Sequence, residues 1–544
     1  MTETTRIPDV LETLAQLPND EVFTPPKLVK AMLESLPAKV WSEPDYRWLD
    51  PATKSGVFLR EIYRRLMVGL IDTLPDAHDR REHILRNMLF GASISEITGE
   101  IARRTLYQTH DATGGGVVDN ALLPFLVRFS TSDGNVPHIA TDHIFVGTGP
   151  SRRCKACGAP EGLVREDRQA YAYSFIHGTY PTEEMRDMKF DVIVGNPPYQ
   201  IGVKDNNRDR PIYQLFVEQA IALEPRYVLM ITPSRWYSGG LGLDDFRNRM
   251  IADRRIKVIV DNPRLFDVFP GVEIKGGVSW FLWDRKHDGD CTFSVRVQGQ
   301  VTSTATRDLR EGDGILIRDN RAAAIVDKVR SGPFPDGSLA DVVSAGVAFG
   351  DSFRTNYKGA QDDAFPNAVP LIFGNKVGYV RLEQLERNIA WVGKWKVLIP
   401  KAGDGHGREE NFVLGEPIAL APGSACTQTY HVAGTFDSRE ETKHYAEYLT
   451  TKFLRFLVLQ RKTTQDVRPD KFKFVPWLDF SRPWTDADLY SKYGLAPDEI
   501  EYIEATIKDR EWIDSLDSPI PATHLPGGKK YGVPFETDVS EDDQ

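Results

Sequence analysis

Apolar positions in the first half of the chain follow two rhythms. Short unbroken runs, "FDVIVG" (Phe190 to Gly195), "RYVLMITP", "IKVIVDN" and "GGVSWFLW", have the length and β-branched character of strands buried on both faces of a sheet. Between them the spacing turns helical. After "YRWLDPATKSG", Val57, Leu59, Ile62, Leu66 and Leu70 recur along one helix face, and "TGEIARRTLYQT" follows the strand-like "MLFGASI". "IYQLFVEQAIAL" repeats the pattern after "NPPYQ". Strands alternating with helices predict an α/β fold with a doubly wound, parallel-rich sheet.

From about residue 288 the texture loosens into Gly, Asp, Thr and short strands, as in "DGDCTFSVRVQGQVTSTATRDLREGDG". This places a boundary between a first domain over 1–287 and a second, α+β domain over 288–544, which carries aromatic and basic stretches such as "WVGKWKVLIPKAGDG".

The polar residues that close the strands carry the chemistry, because open α/β sheets bind ligands at the carboxyl ends of their strands. In "FDVIVGNPPYQ" the strand stops at Gly195, and Asn196 is followed by Pro197, Pro198 and Tyr199. In "LDPATKSGVF" an acid, Asp50, leaves a strand, and Pro51, Ala52 and Gly56 let backbone and a helix N-terminus approach a ligand. This stretch is neither G-x-G-x-x-G nor a phosphate loop ending in G-K-[ST], so a dinucleotide or a nucleoside triphosphate is not favoured.

The 544 residues are 41% hydrophobic and 27% charged, as in a globular protein, and no apolar run reaches the roughly 18 to 20 residues of a membrane helix. The start, "MTETTRIPDVLETL", lacks the pattern of a signal peptide, and four cysteines make no disulfide framework; both point to the cytoplasm and away from a membrane. The net charge of -11 disfavours a protein that coats nucleic acid, but positive charge is local: Arg455, Arg461, Lys462, Arg468, Lys471 and Lys473 face only Asp466 and Asp470. "ETDVSEDDQ" reads as a solvated tail.

The order "FTPP" (Phe23 to Pro26), "DPATKSG", "NPPY", then a large C-terminal domain resembles the gamma class, the TaqI-like group, of S-adenosylmethionine-dependent DNA N6-adenine methyltransferases of restriction-modification systems. The motifs span about residues 20 to 285, and "GSACTQTYHVAG" and "TKFLRFLVLQRKTTQD" look like the C-terminal half of larger modification methylases. The resemblance implies a Rossmann-like methyltransferase domain followed by a target-recognition domain. It also implies S-adenosylmethionine as cofactor, methyl transfer to adenine N6 in double-stranded DNA, and a separate restriction nuclease or helicase as partner.

By the same resemblance Phe23, Thr24, Pro25, Asp50, Pro51, Ala52 and Gly56 bind the cofactor. The family's ribose-binding acid is replaced by Ser93; Glu96 is the substitute, or else an N-terminal helix charge, and Asp142 is the candidate adenine-ring contact. The Asn196 side-chain oxygen and the Pro197 carbonyl would accept the two N–H groups of the target amine. That favours a pyramidal nitrogen whose lone pair faces the methyl sulfonium, while the prolines keep the acceptors fixed. Tyr199 would stack on an extruded base, with Trp280 or Phe281 closing the other face unless these are core aromatics.

Two further groups carry candidate sites. Cys154 and Cys157 form a C-x-x-C-G knuckle, half of a structural zinc site in an insertion near 138–180, with His138, His143 and His177 available to complete it; a loop with two free cysteines is the alternative. Arg461, Lys462, Arg468, Lys471 and Lys473, interleaved with Phe472 and Phe474, form a candidate DNA-facing surface or a solvated basic face. Other readings stay open: an RNA or protein-glutamine acceptor, a fused enzyme that also cleaves DNA, or a DNA-binding module with an inactive site.

Overall fold

The computed structural model describes residues 23–115, 126–161, 172–182, 185, 187–201, 210–264, 268–269, 276–332, 337–374, 376–403, 412–462, 465–510, 512 and 516. The N-terminal stretch read for a signal peptide, up to residue 22, and the acidic tail lie outside these residues. The chain divides into two units, Met1–Asn320 and Arg321–Gln544.

In chain order the first unit runs through α1 (Pro26–Leu33), β1 (Trp48–Thr53), α2 (Val57–Gly69), β2 (Leu89–Ser93) and α3 (Glu96–Tyr107). The short β3 (Phe145–Val146), β4 (Arg153–Cys154) and α4 (Ser174–His177) follow, then β5 (Val192–Gly195), β6 (Gln200–Ile201), β7 (Arg210–Pro211) and α5 (Tyr213–Ala222). It continues with β8 (Tyr227–Pro233), α6 (Asp244–Ala252), β9 (Ile256–Asn262), β10 (Val278–Asp284), β11 (Cys291–Val297) and β12 (Gln300–Arg307).

Eight of these strands form one sheet in the order β12-β11-β9-β10-β8-β5-β1-β2. β2, β1, β5 and β8 are parallel neighbours, β10 runs antiparallel between β8 and β9, and β11 returns parallel to β9. Every residue of β1, β5 and β10 is buried, which is why these strands read as unbroken apolar runs. Leu59, Ile62, Leu66 and Leu70, expected along one helix face after "DPATKSG", are all fully buried. The edges are tied by Asp191: one carboxylate oxygen accepts the Arg47 N–H at 3.1 Å and the other the Arg226 Nε at 2.8 Å, so the starts of β1 and β8 are clamped around β5.

The expected boundary between 287 and 288 is corrected by this sheet. β11 pairs with β9 (Phe293 with Ile259) and β12 with β11, so the unit extends to Asn320. β12 misleads because it is an exposed edge strand with only partly covered residues, and its polar texture is that of an edge rather than a new domain.

Strand order reverses between β1 and β5: the chain goes from β1 to β2 on one side, then crosses to β5 on the other. Such a switch point opens a crevice at the carboxyl ends of the two strands. "DPATKSG" and "NPPY" both emerge there.

The second unit begins in α7 (Asn320–Ser331) and holds two three-stranded sheets. One is built from β13 (Ala368–Phe373), β14 (Lys376–Arg381) and β17 (Ala425–Cys426), the other from β15 (Trp395–Pro400), β16 (Ile418–Leu420) and β18 (Tyr430–Phe436). The helices α8 (Arg439–Thr450) and α9 (Lys452–Arg461) follow, and Phe436, Tyr445, Trp477 and Phe480 pack as an aromatic cluster. Among the described residues no helix is long and apolar enough to cross a membrane.

Candidate active site

Asp50 sits in β1 with 3% exposure; one of its carboxylate oxygens accepts the Ala52 N–H at 3.2 Å. Burial pushes its carboxyl up to about 7, against the opposing pull of the Ala52 N–H, Lys54 and Thr53. Pairing with β2 is regular up to Asp50 and slips before Thr53, where the chain turns toward α2. Gly56 makes that turn at φ 70°, and a Cβ there would stand 3.0 Å from the Ala102 backbone of α3. Both constraints select glycine: the left-handed conformation and the close helix approach. A buried acid beside the open N-terminus of α2 suits a ligand that carries positive charge at one end and hydrogen-bond acceptors nearby.

Asn196 follows β5 directly, is 3% exposed, and donates from Nδ2 to Thr24 Oγ1 at 3.0 Å. Between the two motifs stands Gly195, where a Cβ would lie 3.0 Å from Asp50 Oδ1. The structure thus brings Thr24, Asp50, Gly195 and Asn196 to one point, with Pro51 and Ala52 beside them. Phe23 and Pro25 flank Thr24 and are partly exposed.

The expected aromatic platforms lie deeper. Tyr199 is 6% exposed, with Asn196 beside its phenol and its carbonyl accepting the Ile212 N–H at 3.2 Å; burial raises the phenol well above its ordinary range. Trp280 and Phe281 are corrected to core residues: β10 is an inner strand, Trp280 pairs with Ile231 and Val260, and its indole donates to Ser35 Oγ at 3.1 Å. Neither is more than 2% exposed.

Ser93 ends β2, its hydroxyl and its N–H both donating to the Pro137 carbonyl. Glu96 opens α3 behind the Ser95–Thr98 capping box and is exposed, in the position where a helix dipole favours an acid. Asp142 is exposed and immediately precedes His143 in the chain.

At the same sheet edge a network appears that sequence reasoning missed. Asp261, fully buried at the end of β9, receives Ser234 Oγ at 2.7 Å and both Nε and Nη2 of Arg318 at 2.8 Å. Arg318 also donates to the Gly276 carbonyl, fastening the entry to β10. The signal was available: "VIVDN" is another apolar strand closed by an acid, as in "WLDP".

Cys154 and Cys157 meet two of the three histidines. His143, Cys154, Cys157 and His177 place their donor atoms within 4.8 Å of one another. His138 does not join them; it runs beside β2, with Nδ1 3.4 Å from the Ser93 carbonyl.

The basic stretch is corrected in part. Arg461 and Lys462 are buried, Arg461 bonding the Asp470 carbonyl and stacking on Phe474, Lys462 bonding the Val413 carbonyl. Phe472 and Phe474 are core residues. Only Arg468 and Lys473 are exposed, and Arg468 and Lys471 pair with Asp466 and Asp470. A charged residue next to core aromatics was drawn inward by backbone carbonyls that needed donors.

The protein is thus of the α/β class, with a buried acid and an Asn-Pro-Pro-Tyr loop at the switch point of a mostly parallel sheet. Residues 87–269 match the Eco57I restriction-modification methylase family. An uncharacterised adenine-specific methylase of Mycoplasma pneumoniae is 35% identical over 323 residues, an alignment covering 54% of this chain and 74% of that relative. The chain belongs to this family of adenine-specific restriction-modification methylases. Among solved structures it is similar to the DrdV–DNA complex (14% identity, TM-score 0.44, 85% of this chain and 56% of that one). A nuclease-deletion mutant of the Type ISP restriction-modification enzyme LlaGI with a DNA substrate mimic is comparable (12%, TM-score 0.44, 84% and 53%). The chain therefore spans little more than half the length of these two solved chains.

Proposed function

We propose that this protein transfers a methyl group from S-adenosylmethionine to N6 of adenine at a defined site in double-stranded DNA, in the cytoplasm and alongside a separate restriction nuclease or helicase. The observation that supports it best is the meeting of Asp50 and Asn196 across Gly195 at the β1/β5 switch point. When bound, S-adenosylmethionine supplies a methyl group made electrophilic by its sulfonium.

The residues of the chain fit that cofactor by their chemistry. Asp50 is a buried acid whose ionised form lacks water, so a cationic amino-acid end beside it offsets the burial penalty. Pro51, Ala52 and Gly56 bring backbone close, Phe23 and Pro25 border the same point, and Glu96, at the start of α3 just after β2, is the acid available to a ribose hydroxyl.

Asn196 then orients the target. With Nδ2 engaged by Thr24, the side-chain oxygen is the end that accepts an amine N–H, and the Pro197 carbonyl takes the second. Holding both N–H groups turns the nitrogen lone pair outward, so catalysis is orientation and electrostatic preorganisation. Because such a base must leave the duplex, Tyr199 has to shift from its buried position to stack on it.

Transfer of labelled methyl to unmethylated bacterial DNA, compared with RNA and with protein acceptors, tests the reading. Label in DNA supports it; label confined to RNA or to glutamine overturns the choice of substrate.

A further inference from the structure

We propose that His143, Cys154, Cys157 and His177 hold one structural zinc ion, and that this ion braces the paired strands β6 and β7, of which β6 directly follows the Asn196–Tyr199 loop. Four observations lead there.

The first is distance. Cys154 Sγ lies 3.5 Å from His177 Nε2, and Cys157 Sγ lies 3.5 Å from His143 Nδ1. Zinc bonds of about 2.3 Å to sulfur and about 2.0 Å to nitrogen, at tetrahedral angles, give a sulfur-to-nitrogen edge of about 3.5 Å. The second is tautomer control. His177 Nδ1 lies 2.8 Å from the Tyr173 carbonyl, which takes the ring proton on that nitrogen and leaves Nε2 as the donor to a metal. The third is the knuckle itself, Cys-x-x-Cys-Gly, with Gly158 at φ 71°.

The fourth is what these residues stand on. β3 and β4 have two residues each and α4 has four, too little to hold themselves by backbone bonds alone. A metal joining the hairpin to α4 supplies the missing constraint.

From this cluster two contacts reach elements that follow the Asn196–Tyr199 loop, β7 and α5. The Gly158 carbonyl accepts Arg210 Nη1 at 3.3 Å, and Arg210 belongs to β7, which pairs with β6 immediately after Tyr199. On the other side Tyr173 and Phe175, flanking and opening α4, pack on Phe216 of α5 at centroid distances of 5.6 and 5.9 Å. Loss of the metal would loosen the pairing of β7 with β6, next to Tyr199, while leaving the β1 end, with Asp50 and Gly56, intact.

The bracing role rests on the methyltransferase reading; the metal site does not. The test is metal analysis of protein purified in reducing, chelator-free buffer, with thiol titration and the visible spectrum of the cobalt-substituted form. One zinc per chain, lost in Cys157→Ser and His177→Ala, and a tetrahedral cobalt spectrum with sulfur-to-metal charge transfer are expected. Metal-free protein in which Cys154 and Cys157 both titrate as free thiols, or in which they are joined to each other, overturns the site. For the brace, Arg210→Gln keeps the zinc and is expected to lower kcat/KM for DNA roughly ten-fold, the scale of supporting contacts around a metal, with cofactor Kd unchanged. Unchanged kcat/KM in Arg210→Gln with zinc retained overturns the brace alone.

Discussion

Asn196 Nδ2 donates to Thr24 Oγ1 at 3.0 Å across 172 residues of sequence, so the loop before α1 holds one end of the Asn196 amide, which in the proposed reaction sets the end that meets the substrate. Thr24→Val leaves a buried amide N–H without its acceptor, a loss of roughly 1 to 3 kcal/mol. The methyl-transfer rate is expected to fall about ten-fold to a hundred-fold, and Thr24→Ser to restore most of it. Steady-state kinetics on both variants checks this; equal rates in Val and Ser variants would show that the hydroxyl does not orient Asn196.

Asp50 ties stability to pH and, in the proposed function, cofactor binding as well. In the unfolded chain its carboxyl ionises near 3.8, but in the fold only near 7. Between those values the folded state holds a proton that the unfolded state has released, so stability falls as pH rises through the window. Asp50→Asn is therefore expected to raise Tm at pH 8 and to change it little at pH 4. Cofactor binding has the opposite trend: affinity for the cationic donor should weaken as pH drops below 7 in the wild type, and be weak at every pH in the Asn variant. Thermal melts at intervals from about pH 4 to pH 8, with calorimetric binding on both sides of the folded-state value, measure both.

Gly56→Ala places a Cβ 3.0 Å from the Ala102 backbone and forces an alanine to φ 70°. Left-handed strain alone costs on the order of 1 to 3 kcal/mol. A drop in Tm together with weakened cofactor binding is expected, whereas a stability loss with normal binding would place the α2 N-terminus outside the cofactor site.

Asp261→Ala removes the acceptor shared by Ser234 and Arg318. Breaking one side of a buried pair typically costs about 3 to 5 kcal/mol, and Arg318 is about one-third exposed, so the lower end of that range is expected. Denaturant unfolding measures it, and a double replacement of Asp261 and Arg318 should recover part of the loss.

The parts legible in the sequence share one property: they are decided locally. Asp50 and Asn196 announce themselves as polar residues closing apolar strands, and α2 announces its buried face by spacing. What depends on the path of the chain was not legible. His138, His143 and His177 were equal candidates beside Cys154, yet pairing along β2 carries His138 away from the cluster. β12 looked like the opening of a new domain because an edge strand keeps polar side chains. Arg461 and Lys462 looked exposed because charge usually is, but buried carbonyls of Asp470 and Val413 claim them. The Thr24–Asn196 bond has no local signature at all.

The most direct test of the central claim is nucleoside mass spectrometry of unmethylated bacterial DNA after incubation with S-adenosylmethionine and either the wild-type protein or Asn196→Ala. The account predicts N6-methyladenine with the wild type and a loss of at least about a hundred-fold in the variant, the scale of removing one preorganised polar group at a reacting centre. Equal N6-methyladenine from both proteins, or none from a wild type that binds the cofactor, would contradict it.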